Sequence, residues 1–74
     1  MASVYVKLVI AYAKGSKNGK PIGSIPERHI VDVAVEVIEQ GMDKGEEYIT
    51  FDEIPEEYQA EVAARLEADG YDLE

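Results

Sequence analysis

One supersecondary unit is written twice in this chain. Residues 22–41 read I-G-S-I-P-E-R-H-I-V-D-V-A-V-E-V-I-E-Q-G, and residues 51–70 read F-D-E-I-P-E-E-Y-Q-A-E-V-A-A-R-L-E-A-D-G. At a constant offset of 29, Ile25-Pro26-Glu27 falls on Ile54-Pro55-Glu56, Val33-Ala34 on Val62-Ala63, and Gly41 on Gly70. A self-similar period of this size marks a structural unit used more than once. The unit opens like a helix. Proline is tolerated in a first turn because its missing N–H would be unpaired there anyway. The glutamate after it meets the positive end of the helix dipole. Ser24-x-x-Glu27 and Thr50-x-x-Glu53 each have the spacing of a capping box. Glycine at 41 and at 70 reads as a C-terminal stop. Helices are therefore expected over about 26–40 and 55–69.

The two copies differ in how much apolar surface they carry. Ile25, Val33, Ala34 and Val37 match Ile54, Val62, Ala63 and Leu66 as core positions. The first copy adds Ile30, Val31, Val35 and Ile38, where the second has Gln59, Ala60, Ala64 and Glu67. A helix apolar on two sides belongs between two neighbours, and one apolar on a single side belongs at an edge. The remaining neighbour must be Ser3 to Lys14. Its text, V-Y-V-K-L-V-I-A-Y-A-K, is β-branched and aromatic, which favours a strand. Read as a helix, it has Ser3 as a cap and Gly15 as a stop. A strand would need partners, and only Lys20–Ile22 and Tyr48–Phe51 are on offer. The expectation is an all-α, three-helix domain with two I-P-E-initiated helices. The alternative is α+β, with a small sheet containing residues 3–13. The chain's 74 residues allow one domain, 1–74.

Composition narrows the function. With no cysteine, disulfides, thiolate metal sites and thiol nucleophiles are excluded. The longest apolar stretch, Val4 to Ala13, is far short of the roughly 20 residues a membrane span needs. The start of the chain lacks the charged head and small-residue cleavage site of a signal peptide. A cytoplasmic protein without a membrane partner is expected. Charge is unevenly placed. Lys7, Lys14, Lys17 and Lys20 stand in the first twenty residues with no acid, while the sixteen acids all come later, and the net charge is −9. Such a surface repels nucleic acid over most of its area, so no direct nucleic-acid binding is expected. The polar, basic loop 15–21, G-S-K-N-G-K-P, lacks the strand and helix context of a phosphate-binding loop and reads as a solvated connection.

No constellation of reactive residues stands out. His29 is the only histidine and aligns with Tyr58, a position flanking the core. Glu56/Glu57 and Asp52/Glu53 lie where helix starts attract acids for dipole reasons. No catalytic residue and no cofactor are expected. The text from Asp43 to Ile54 resembles the second half of an EF-hand loop. With Glu53 as the final bidentate ligand, however, the first ligand position falls on Met42 and the required glycine on Glu47. Starting at Asp43 instead leaves Ile54 in the final position. No regular calcium site is expected, and Asp43, Glu46, Glu47, Asp52 and Glu53 remain as a loose cation cluster. Tyr5, Tyr12 and Tyr71 are the candidate residues for a partner surface.

Residues 49–71 resemble small proteins of Firmicute phages and conjugative elements. These read as a helix, a glycine, then T-x-x-[DE]-[VI]-P-E and a second helix. Thr50, Glu53, Ile54, Pro55 and Glu56 carry the match. The resemblance implies a mobile-element accessory protein and transfers no active site. The reading is a non-catalytic protein-interaction module whose partner is an unidentified protein or a second copy of itself. Alternatives are an acidic decoy of a nucleic-acid-binding protein and a weakly calcium-responsive helix-loop-helix.

Overall fold

Three helices account for the fold in the computed structural model, which describes residues 3–71. Helix α1 spans Ser3–Ala13, α2 spans Glu27–Lys44 and α3 spans Glu56–Ala68. Short 3-10 turns over Ile22–Ser24 and Phe51–Glu53 lead into α2 and α3. No strand occurs among the described residues, so the small-sheet alternative is not realised. The reason lies in backbone hydrogen bonding. A lone strand over 3–13 would leave its backbone unpaired, whereas a helix satisfies its own. Both candidate partner segments are consumed, because Ile22 and Phe51 open the 3-10 turns. Tertiary packing of Val6 and Val9 into the core then outweighs the β preference of their side chains. The Ser3 side chain, expected to cap α1, lies outside what is described.

The repeat is structural as well as textual. Pro26 and Pro55 precede their helices with φ/ψ of −53°/141° and −52°/136°. Ahead of them, the Ile25 N–H donates to the Ile22 carbonyl at 3.2 Å and the Ile54 N–H to the Phe51 carbonyl at 3.0 Å. Behind them, the backbone N–H groups of His29 and Tyr58 donate to the Pro26 and Pro55 carbonyls, each at 2.9 Å. The unit is therefore a 3-10 turn, a buried isoleucine, an extended proline and a helix. Its cap chemistry is not shared. Thr50 and Glu53 close a capping box, with the Thr50 N–H 3.1 Å from Glu53 Oε2. Ser24 instead turns back, its hydroxyl donating to the Pro21 carbonyl at 2.8 Å, so the expected Ser24–Glu27 box does not form.

The expected stop at Gly41 is corrected by the structure. Helix α2 continues to Lys44, and Gly45 takes the left-handed conformation that ends it, with φ 72°. Gly41 is buried inside the helix. A Cβ there would lie 2.6 Å from the Glu46 carbonyl oxygen and 3.3 Å from a Tyr48 ring carbon. Glycine is needed at 41 for close approach, since the chain leaving α2 folds back across it. All three helices end alike. Gly15, Gly45 and Gly70 have positive φ, and each bonds back to the helix together with the residue after it. Glu46 N–H to the Gly41 carbonyl at 2.8 Å and Tyr71 N–H to the Leu66 carbonyl at 3.0 Å are the long bonds of this Schellman arrangement.

Helix α2 packs against both α1 and α3, as its two-sided apolar pattern requires. Its buried residues are Ile30, Val33, Ala34, Val35, Val37, Ile38 and Gly41, whereas α3 buries only Val62 and Leu66. Ile22, Ile25 and Ile54 close the core at the helix starts, and Tyr48 and Ile49 close it from the extended segment after α2. Loop 15–21 is less free than its composition suggests, because the Lys20 N–H donates to the Leu8 carbonyl of α1 at 3.1 Å. No helix among the described residues is long and apolar enough to cross a membrane.

Candidate functional site

The three tyrosines expected to form a partner surface do not share one environment. Tyr5 is half-buried and stacks on the His29 ring, with centroids 5.4 Å apart and planes 29° from parallel. That contact accounts for the chain's only histidine as a core-flanking residue. Tyr71 packs back on the core, and its hydroxyl donates to Asp43 Oδ1 at 3.0 Å. This bond to a carboxylate, with partial burial, pushes the Tyr71 phenol above its usual range. Tyr12 alone stands out from the surface, 47% exposed.

Two other large apolar residues are exposed, and no local sequence pattern marks either of them. Val4 is 65% exposed and Met42 40%. Val4, Leu8 and Ala11 follow the i, i+4, i+7 spacing of one helical stripe, with Tyr12 beside it. Lys7 and Lys14 flank that stripe, and α1 contains no acid. Met42 belongs to a second apolar feature. It lines a groove of about 220 Å³ together with Ile38, Tyr48, Ile49 and Phe51, and Glu46 and Glu47 stand at its rim. A helix ending at residue 40 would not form this groove. Only when α2 runs to Lys44 does Met42 project one turn beyond Ile38. The end of α1 reaches this groove, since Lys14 Nζ lies 5.5 Å from the centre of the Tyr48 ring.

On another face lies an acidic stripe. Asp32, Glu36, Glu39 and Asp43 recur at alternating spacings of four and three along α2, and Asp69 approaches from the end of α3. Glu39 is half-buried, and its Oε2 is shielded from water without a hydrogen-bond partner. Burial, then the neighbouring Asp69 carboxyl, then the charges of Asp43 and Glu36 raise the Glu39 pKa from 4.5 to about 7. A proton on Glu39 would relieve both problems, since a protonated carboxyl can donate to Asp69. At the far end of the stripe, Arg65 of α3 meets Asp32 at 3.0 Å. That pair is largely exposed and contributes at most about 1 kcal/mol.

The acids of the EF-hand-like segment are spread over separate tasks. Asp43 accepts from Tyr71, Glu53 is held by Thr50, and Glu46 lies beside the Tyr48 hydroxyl, which burial and that carboxylate push above its usual pKa. Asp52 stands exposed in the 3-10 turn, and Glu47 is exposed before it. Among the described residues no three acidic or histidine side chains are grouped so as to hold a metal ion. No family model, curated protein or solved structure matches this chain.

Proposed function

We propose that this protein is a non-catalytic interaction module, an accessory protein of the phage or conjugative-element kind, which acts by docking rather than by chemistry. One observation carries the reading. The large apolar side chains left exposed among the described residues, Val4, Tyr12 and Met42, fall on two features, a helical stripe on α1 and a groove that Lys14 at the end of α1 reaches. Apolar side chains scattered singly over a surface need no explanation, whereas grouped ones mark contact sites. The mobile-element assignment rests on Thr50, Glu53, Ile54, Pro55 and Glu56. The test is in-cell cross-linking of wild type and a Met42→Asp variant in the native host. Cross-linked species that disappear with Met42→Asp support the reading, and an identical pattern from both proteins sinks it.

The acidic stripe on α2 favours a second reading, a decoy for a nucleic-acid-binding protein. Its carboxylates step along one helix face at intervals of about 5–6 Å, similar to a row of phosphates. Against it, Asp32 is paired with Arg65, Asp43 accepts from Tyr71, and Glu39 is partly protonated near neutral pH. Of the four, Glu36 alone keeps an exposed carboxylate with no cation or tyrosine upon it; Gln40 donates to it at 3.2 Å. A decoy should compete with DNA, so failure to displace DNA from host binding proteins removes this reading.

A further inference from the structure

We infer that the partner of this apolar surface is a second copy of the same chain, joined by seating the α1 stripe of each protomer in the acid-rimmed groove of the other. The inference rests on the interaction-module reading and names its partner. Both halves of a complementary pair are present on one molecule. The α1 stripe offers Val4 and Tyr12, with Leu8 part-exposed between them where Gly19 and Lys20 of the loop close on the helix, lysine at its border and no acid in the helix. The groove offers Met42 and Tyr48 with Glu46 and Glu47 at its border.

Opposite charge around matched apolar surfaces favours the right register and penalises the wrong one. In an otherwise strongly acidic chain this matters. Two acidic faces would repel each other, whereas the lysine-bearing segment, which carries no acid, approaches the groove without that penalty.

Geometry allows the pairing to close. Lys14, just past the end of α1, lies over Tyr48 of the groove, so the C-terminal end of the stripe is next to the groove. A two-fold axis between them makes both contacts at once, giving a closed dimer rather than an open chain. The dimer covers the three exposed apolar side chains together. It also answers the weakness of a small core, for which self-association is a common remedy.

Sedimentation equilibrium from about 1 μM to about 1 mM protein, the span over which weak complexes dissociate, reads the association. The expected result is a monomer–dimer equilibrium that weakens as salt rises from about 50 to about 500 mM. Val4→Asp and Met42→Asp should each raise the dissociation constant at least about tenfold.

Charge reversal then separates this interface from non-specific effects. Lys7→Glu makes the chain more acidic, and the double variant Glu46→Lys/Glu47→Lys makes it less so. If net charge governed association, the second protein would associate more strongly than wild type. The proposed interface instead requires both variants to weaken, and requires an equimolar mixture of the two to dimerise again. All three positions are exposed, and helical circular dichroism checks that each variant is folded. A wild-type monomer throughout, or stronger association of the less acidic variant, overturns the inference. Neither result touches the interaction-module reading, which falls only when the Met42→Asp cross-linking pattern is unchanged.

Discussion

After Pro26 the helix runs for 18 residues and buries seven of them, whereas after Pro55 it runs for 13 and buries two. The entrances are the same, a 3-10 turn and a buried isoleucine before an extended proline. A start motif thus sets where a helix begins and how it leaves the preceding turn. The residues beyond the first turn decide whether that helix becomes the centre of a domain or its edge. In the first copy Ile30 continues the apolar face. In the second the same place holds Gln59, whose amide donates to the Phe51 and Ile54 carbonyls at 2.8 and 2.9 Å. One copy extends the core, and the other uses the equivalent position to hold its own turn together.

The largest effect that separates the two helices is expected at Leu66, which is fully buried in α3 like its counterpart Val37 in α2. Leu66→Ala should cost about 3 kcal/mol, most of the stability of a domain this size, read as a lower urea midpoint. A loss below about 1 kcal/mol would mean that α3, unlike α2, is only loosely docked.

Next in size is the pair of glycines aligned by the repeat. Gly41→Ala should destabilise by about 2 kcal/mol, because the new methyl meets the Glu46 carbonyl and the Tyr48 ring. In an open helix interior the same change would stabilise by about 1 kcal/mol. The sign of the shift in melting temperature therefore decides whether Gly41 is a site of close approach.

Glu39 extends the contrast to the other end of the two helices, since the repeat places Ala68 opposite it. Its folded pKa, about 7, lies above the ordinary 4.5. The folded state therefore binds this proton more tightly than the unfolded chain does. Its stabilising contribution is full below about pH 4.5 and is lost as pH rises through about 7. Glu39→Gln keeps the shape without the charge, so it should gain on the order of 1–2 kcal/mol at pH 8 and flatten the pH dependence between those limits. Denaturant titrations at pH 5 and pH 8 check both, and parallel losses in the two proteins would discard the assignment to Glu39.

Gln59→Ala should cost about 1 kcal/mol by freeing two carbonyls at the start of α3, measured by the same titrations. The smallest effect belongs to the link between the helices. Removing the Asp32–Arg65 pair by Arg65→Ala should change stability by no more than about 0.5 kcal/mol at moderate salt.

Much of this architecture is legible in the residues themselves. The I-P-E starts, the Gly15 and Gly70 stops, the Thr50–Glu53 box and the two-sided apolar pattern of α2 depend on neighbours within a turn or two, which is the range of capping and periodicity rules. Gly41 misleads because the same residue type serves to end a helix and to admit another stretch of chain against it. Met42 and the groove depend on where α2 ends and how residues 46–51 fold back, and Val4 stays outside because α1 turns Val6 and Val9 to the core, so no local pattern announces them.

That the two I-P-E segments become helices, and that the first of them lies in the middle, is encoded in the chain's own text, since each of those starts and apolar faces belongs to a single segment. Residues 3–13, whose side chains favour a strand, became the third helix through the packing of Val6 and Val9. Which apolar side chains stay outside, and which carboxylate is forced toward neutrality, became fixed only when the helices packed. Exposure and desolvation are properties of whatever lies alongside, and Asp69 reaches Glu39 only once α3 has docked on α2.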